Sequence, residues 1–411
     1  MANDSAAAAV ITKNDRIPAH VPRELVRDID IYAPPNADKD YHLAMKHVQD
    51  TCPDIFWSPY QGGHWVAIRG EDLYEVFFKN YELYSSHTLT LPKEQALPYK
   101  LLPIESDPPA HTAYRELLAP WFTPKSIGNL EVRARELSIS LIEGFKPRGG
   151  CEFVTEFAQH LPIAIFMSLV DLPWHDRELL MGLAERQVYQ KSHEDRLDSI
   201  SKMKTYLKTK LDERRPKPGV DMLSKIATAE VNGRKLTEEE QIGMAMLVLI
   251  GGLDTVASML GFIANFLAIN SVHRRQLVDN PALIPNAVEE LIRRHGVAQP
   301  SRIVTRDHVY KGIQFKEGDQ MVLSSMMHGL DERQFPDPLK VDFTRKNPIH
   351  SAFGNGPHRC PGSFLARTEI KVYLQEWLKR IPDFSIKAGE TPRIRTGVNG
   401  SFVYLPLSWT S

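Results

Sequence analysis

The sequence predicts a mainly α-helical protein with small β-sheets. Helical hydrophobic periodicity runs through most of residues 126–215, and again over 237–272 and 363–380. The extended segments are short and bracketed by glycine or tight turns: Trp65–Ile68, Val309–Phe315, Gln320–Ser324 and the stretches flanking Asn399-Gly400. With 411 residues a sizeable core is available, and 42% hydrophobic and 25% charged residues are ordinary for a globular chain. A net charge of −1 argues for neither nucleic acid nor an anionic membrane surface. Cys52, Cys151 and Cys360 are far apart and odd in number, which suits a reducing compartment better than a disulfide framework. The first residues carry Asp4 and no basic cluster, so a signal peptide is not expected. The expectation is a flexible arm over residues 1–20 and a cytoplasmic location.

Residues 38–50 and 71–80 are predicted to be short helices around a strand at 65–68. From Ser85 to Ser106 the periodicity fails at Pro92, Pro98 and Pro103. A loop of that length inside a compact domain is functional or mobile. Asp107-Pro108-Pro109 then opens a helix. His111 and Arg115 fall four apart on its face, where they are either solvated or two donors for an anionic partner such as a carboxylate. Helical breaks are expected at 147–150 and 172–174, and Asp212–Arg215 reads as a solvated helix end.

Thr237-Glu238-Glu239-Glu240 is a capping box. Beyond it, Asp254 is the one charged residue from Gln241 to Val272. A single helix there would run ~50 Å. About 20 apolar residues also suffice to cross a membrane, but a charge at the bilayer centre is expensive, so a buried helix is expected. Gly251-Gly252 in mid-helix cost roughly 1 kcal/mol each. Their use would be to let a ligand lie against the backbone and the helix open locally. Asp254 and Thr255 offer a carboxylate and a hydroxyl for proton transfer. The alternative is a structurally paired aspartate and a threonine bonded back to its own helix.

Further on, Glu290 and Arg293 are three apart on a helix, Arg302 starts a strand, and 309–324 is predicted to be one hairpin turning at Lys316–Asp319. A second hairpin is expected to turn at Asn399-Gly400. Between them lies Phe353-Gly354-Asn355-Gly356-Pro357-His358-Arg359-Cys360-Pro361-Gly362, followed by an amphipathic helix over 363–380. Cys360 is thereby presented at a helix N-terminus, which favours a thiolate competent to bind metal. Gly356 and Gly362 would let backbone approach the sulfur, and Phe353 would form an apolar wall. A buried inert cysteine is the alternative.

The spacing Phe-x-x-Gly-x-His-x-Cys-x-Gly resembles the signature of the cytochrome P450 family. The resemblance extends to Asp107–Arg115, to Gly251–Thr255 and to Glu290-Leu291-Ile292-Arg293, and so covers nearly the whole chain. It implies a single domain over 21–411 with a long central helix above heme b (iron protoporphyrin IX). Cys360 would be the axial thiolate. His111, Arg115, Arg302 and His358 would hold the propionates, with Phe353 and Gly356 in the heme-binding loop. Asp254 and Thr255 would manage protons. Glu290, Arg293 and Arg345 would form a structural network behind the cysteine loop.

Gly251–Val256, Gly329–Arg333 and Arg380–Ile386 are most similar to the camphor-hydroxylating bacterial members. Tyr99 falls where those members donate a hydrogen bond to the substrate ketone. The implied pocket is Tyr99, Thr90, Leu247, Ile250, Gly251, Ala298 and Asn399. Thr90 stands in place of a phenylalanine, Ala298 and Asn399 in place of valines, Pro300 in place of an aspartate and Pro361 in place of a leucine, so the pocket is altered in shape and more polar. The expected function is hydroxylation of a small apolar terpenoid (a camphor-like monoterpenoid, a cineole or an ionone-type norisoprenoid) with O2. No glycine-rich nucleotide fingerprint follows a strand. Electrons are therefore expected from a [2Fe–2S] ferredoxin with an NADH-dependent ferredoxin reductase, docking where Arg115 and Arg359 could meet an acidic partner. Two rivals are a peroxide-driven enzyme of the same fold, which would lack the acid–alcohol pair, and a non-catalytic heme-binding gas sensor, which would not need it.

Overall fold

The computed structural model describes residues 17–97, 99–189 and 193–410. Most of the expected arm and Pro98 lie outside the described residues. Residues 17–20 are not loose: Ile17 packs on the core, and His20 Nε2 lies 2.9 Å from Asp319 Oδ2.

In chain order the helices are α1 (Tyr41–Thr51), α2 (Ala110–Leu118), α3 (Pro124–Phe145), α4 (His160–Val170), α5 (Arg177–Tyr189), α6 (His193–Arg214), α7 (Met222–Thr228), α8 (Glu238–Leu253), α9 (Thr255–Ile269), α10 (Ser271–Asp279), α11 (Ile284–Arg294), α12 (Ser325–Gly329) and α13 (Ser363–Arg380). The principal sheet runs in the order β1 (Ile55–Ser58), β2 (His64–Ala67), β10 (Gln320–Leu323), β7 (Ser301–Val304), β3 (Tyr84–Ser85). Only β10 and β2 pair in parallel within it. The smaller sheets are β11 (Ser385–Ile386) with β14 (Pro406–Ser408) and β4 (Gly150–Glu152), β12 (Arg393–Arg395) with β13 (Ser401–Tyr404), β8 (His308–Tyr310) with β9 (Ile313–Phe315), and β5 (Glu230–Val231) with β6 (Arg234–Lys235).

Two apolar clusters result. One holds the sheet side chains with α1, α9, α11 and α13. The other holds Tyr99 and Leu102 with the buried faces of α2 and of α4 through α8. On α13, Ala366, Ile370, Tyr373, Leu374, Trp377 and Leu378 are buried as their spacing predicts. The stretch Glu238–Ile269 is long and apolar enough to cross a membrane by composition, yet 53% of its most apolar window is buried in the fold.

Four expectations need correction. The ~33-residue helix is two helices. The backbone leaves the ladder at Asp254 (φ −102°, ψ −40°), and a new helix, α10, starts at Ser271. The Asp254 break falls where the chain passes from one apolar cluster to the other. The hairpin read over 309–324 is instead β8–β9, because Lys311 (φ 48°) and Gly312 (φ 77°) supply a left-handed two-residue turn; β10 joins the principal sheet. The second hairpin forms between β12 and β13, but its turn is longer than Asn399-Gly400, since 396–400 all lie between the paired Arg395 and Ser401. Arg214 is not solvated: it donates to Asp221 Oδ1 at 3.0 Å and to the carbonyls of Val170 and Asp171, tying α6 to the end of α4.

Candidate active site

The cysteine loop is built by its own backbone. Cys360 N–H donates to Phe353 O at 2.9 Å, and Gly354 N–H to Ser351 O at 2.8 Å. Gly354 and Gly356 both take φ +65°. A Cβ on Gly356 would stand 2.5 Å from Phe78 O, so its required close approach is to the chain at 78–79, not to the sulfur. Gly362 is the glycine beside the sulfur, at ordinary contact distance. Phe353 is half-buried under the Arg367 guanidinium, which lies 4.6 Å from its ring.

The expected lowered thiol pKa is not what the protein alone produces. Burial pushes the Cys360 thiol up, against smaller downward pulls from Gly362 N–H and from Arg115, Arg367 and Arg359. A helix terminus and three guanidinium groups do not offset the lost hydration. A coordinated metal ion would, since a coordinating thiol is deprotonated outright.

At this loop the fold gathers donors from three segments, α2, β7 and the loop itself. His111 on α2 is 2% exposed, and its ring lies 4.3 Å from that of His358 in the loop. Among the described residues neither nitrogen of either ring has a hydrogen-bond partner. His358 Nε2 comes within 3.6 Å of Asp107 Oδ1. Burial, helped by His358 and Arg115, lowers the pKa of His111 to about 4; burial also lowers that of His358. Both rings are therefore neutral at pH 7. Arg302, in β7, is 4% exposed and donates to Ser301 O at 2.7 Å. Desolvation lowers its pKa to about 10, against the pull of Asp107. Arg115 donates to Arg359 O. Two neutral imidazoles with four unmet nitrogens, and a buried guanidinium, form a cradle for carboxylates. With Cys360 as metal ligand, the residues fit heme b.

On α8, Leu247, Ile250 and Gly251 share the face that stays partly open, while Met244, Ala245, Met246 and Leu249 are buried. A Cβ on Gly251 would meet nothing within 4 Å. Thr255 Oγ1 lies 3.5 Å from Gly251 O, and Asp254 O accepts from Ser258 N–H and Oγ at 2.9 and 2.8 Å. The Asp254 carboxylate accepts from Asn399 Nδ2 at 3.3 Å. Asn399 itself forms a β-bridge with Ala298. Tyr99 is 8% exposed in the same apolar cluster as Ile250, with Lys204 Nζ 5.9 Å from its ring centre. Thr90 gives its carbonyl to Gln320 Nε2 at 2.9 Å.

The 85–106 loop is fastened rather than loose. Glu105 accepts from Leu89 N–H and Leu101 N–H at 3.0 and 2.9 Å, and Ser301 Oγ donates to Leu89 O at 2.9 Å.

Glu290 and Arg293 are fully buried and paired at 2.8 Å, with Arg345 Nε 3.2 Å from Glu290. Sequence reasoning missed the neighbouring pair that reaches the cysteine helix directly: Glu289 accepts both Nε and Nη2 of Arg367 at 2.6 and 2.9 Å. It also missed Asp107, which binds Ser85 Oγ and Ser86 N–H and faces His358. A carboxylate one turn ahead of His111 was a readable signal for Asp107. Glu289 and Arg367, far apart in sequence, carried none.

With this geometry in hand, comparison with known proteins is specific. A model of the family "Cytochrome P450" matches residues 272–406. The chain is 34% identical over 406 residues to "Probable cytochrome P450 127A1" of Sinorhizobium fredii, covering 97% of this chain and 98% of that protein. Among solved structures it is similar to CYP101J2 (TM-score 0.87, 38% identity, 96% of this chain and 100% of that one). It is also similar to CYP101C1 (TM-score 0.88, 35% identity, the same coverage).

Proposed function

This chain belongs to the cytochrome P450 family and is a heme b monooxygenase, and from that premise we propose that it hydroxylates a small apolar terpenoid with electrons from a [2Fe–2S] ferredoxin. Heme b, when bound, supplies the oxygen-activating chemistry, and thiolate ligation favours O–O cleavage. Cys360 is the residue proposed to hold the iron. His111, His358, Arg302 and Arg115 would hold its carboxylates.

The observation that carries the reading is the helix interruption at Asp254 beside the open face at Gly251. The break puts a carboxylate and a hydroxyl on consecutive residues outside a regular ladder. The Thr255 hydroxyl holds a proton at Oγ1 next to the pocket, and the Asp254 carboxylate exchanges protons with the outside. Leu247, Ile250 and Ala298 give apolar walls, and Tyr99 and Thr90 supply the polar handles. That composition suits a compact hydrocarbon with one oxygen function. The acid–alcohol pair argues against both a peroxide-driven enzyme and a gas sensor.

Partner docking is proposed on the cysteine face. Arg359, Pro361 and Phe364 (57% exposed) are all presented there, with Arg115 behind them. A cationic rim around an exposed aromatic suits an acidic electron-transfer protein.

The test is Thr255→Ala with ferredoxin, reductase and NADH. Substrate binding and NADH oxidation are retained, and oxygen is diverted to hydrogen peroxide. Unchanged product yield per NADH would refute the proton role.

A further inference from the structure

We infer that Glu289 is a positioning residue for the cysteine loop: by holding the Arg367 guanidinium and balancing its charge, it sets the field at the Cys360 sulfur and with it the reduction potential of bound heme. The inference rests on Cys360 as the residue that holds the iron, and it gives Glu289 and Arg367 a part in electron uptake that the proposed function does not.

Glu289 lies on α11 and Arg367 near the start of α13, two helices that pack together. The carboxylate accepts from both Nε and Nη2 of Arg367, at 2.6 and 2.9 Å, so the guanidinium is gripped at two points. Its remaining nitrogen, Nη1, donates to Ser363 O at 3.1 Å. So held, the guanidinium lies 4.6 Å from the ring centre of Phe353, and the carbonyl of that same phenylalanine accepts Cys360 N–H at 2.9 Å. The cation is thus fixed against both ends of the cysteine loop, at Phe353 where the chain enters and at Ser363 where it leaves. Glu290, next in sequence, is taken up by Arg293 and Arg345 and plays no part here.

The charge on Arg367 is felt at the Cys360 sulfur, as are those of Arg115 and Arg359. Among the described residues, Arg367 is the one of these three that an ion pair joins to a carboxylate. Burial would raise the Glu289 carboxyl, but His350 and Arg367 bring it down to about 2, so it is ionised throughout the neutral range. His350 faces the same carboxylate at 3.9 Å, but burial lowers its pKa below the ordinary 6.5 and leaves it neutral at pH 7. Its Nδ1 accepts Ala352 N–H at 3.2 Å. Arg367 is therefore the charge that Glu289 balances. A positive charge near the sulfur favours the ferrous state, which carries one electron more, and a negative charge disfavours it. The side chains of Arg367 and Glu289 are 22% and 31% exposed, so solvent screens part of this field and the effect is moderate.

The experiment uses the full heme-loaded protein, free of substrate, and compares wild type with Glu289→Gln, which keeps the shape and leaves the Arg367 charge unbalanced. Arg367→Met, which leaves the carboxylate unbalanced, and the Glu289→Gln/Arg367→Met double variant complete the set. Three readouts are taken: the heme reduction potential by spectroelectrochemical titration, the Soret band of the ferrous carbonyl form, and urea unfolding. Glu289→Gln is expected to raise the ferrous-to-ferric ratio at a fixed potential about five-fold, and Arg367→Met to lower it by a similar factor. The double variant, with both charges gone, should return to within about two-fold of wild type. A clamp that only held the loop in shape would give no such reversal of sign. Shifts of the same sign in both single variants, or lower unfolding free energy with an unchanged potential, would make the pair purely structural and overturn the inference. Should Arg367→Met fail to load heme, Glu289→Gln decides alone: a rise supports the inference, and no rise or a fall overturns it. If wild type shows the thiolate carbonyl band and Glu289→Gln leaves the potential unchanged, the inference falls and the proposed function stands. If wild type lacks that band, the assignment of Cys360 falls and takes the inference with it.

Discussion

Replacing Glu290 by glutamine removes one charge and almost no volume. Both Glu290 and Arg293 are 0% exposed and paired at 2.8 Å. Arg293 also donates to the carbonyls of Gly329, Pro338 and Lys340, the last two at 2.8 and 3.2 Å. Those carbonyls remain in Glu290→Gln, so the guanidinium keeps most of its hydrogen bonds and loses its counter-charge. A buried charge left without its partner costs about 3–5 kcal/mol. Arg345, whose side chain is 19% exposed, then faces Arg293 with no carboxylate between them, which places the expected loss toward the top of that range. Arg345→Met is the control: removing the partly exposed third member, which leaves the Glu290–Arg293 pair intact, should cost about 1 kcal/mol. Urea unfolding of the heme-loaded protein, followed by far-ultraviolet circular dichroism and by the Soret band, measures both. A Glu290→Gln variant within 1 kcal/mol of wild type, or an Arg345→Met variant that is the more damaged, would refute the reasoning.

Two further outcomes follow from single contacts. Burial alone pushes the Glu369 carboxyl from its ordinary 4.5 up to about 8. The folded value exceeds the unfolded one, so the contribution to stability is fully present below about pH 4.5 and is lost as pH rises through about 8. Glu369→Gln should therefore flatten the fall in unfolding free energy between pH 5 and pH 9 by roughly 4 kcal/mol, at about 1.4 kcal/mol per pKa unit; an unchanged slope in urea titrations at the two pH values would count against it. A Cβ on Gly243 would stand 2.0 Å from Lys100 O, so Gly243→Ala must push the 85–106 loop off α8. Hydrogen exchange across 99–105 should quicken and substrate affinity fall about ten-fold (about 1.4 kcal/mol), whereas Gly144→Ala, where a Cβ meets nothing within 4 Å, should change neither. Unchanged exchange in Gly243→Ala would show that the loop does not rest on that contact.

Several elements were legible because their signals are local. The capping box at Thr237 and Glu240 forms as read, with both reciprocal hydrogen bonds. The helix over 363–380 has the predicted bounds, since one apolar stripe at helical spacing finds one apolar surface. Misreadings occurred where two elements compete for the same residues. Residues 309–324 carry two short extended runs and two turn signals. Which run pairs with which was decided by β7 and β2, both distant in sequence. The interruption at Asp254 was foreshadowed by Gly251-Gly252 but not its position, which depends on the helix leaving one apolar cluster for another.

By itself the sequence determined which groups exist to do chemistry: a cysteine in a glycine-punctuated loop, an acid beside an alcohol in an apolar helix, and imidazoles and guanidiniums spaced to meet carboxylates. These are properties of residue type and short spacing, which no packing can alter. Tertiary structure alone decided which of them meet. It brought His111 against His358, set Glu289 on Arg367, and carried Asn399 across 145 positions to the carboxylate of Asp254. It also reversed the expected pKa of Cys360, because desolvation depends on everything that surrounds the sulfur and the helix-end effect only on its neighbours.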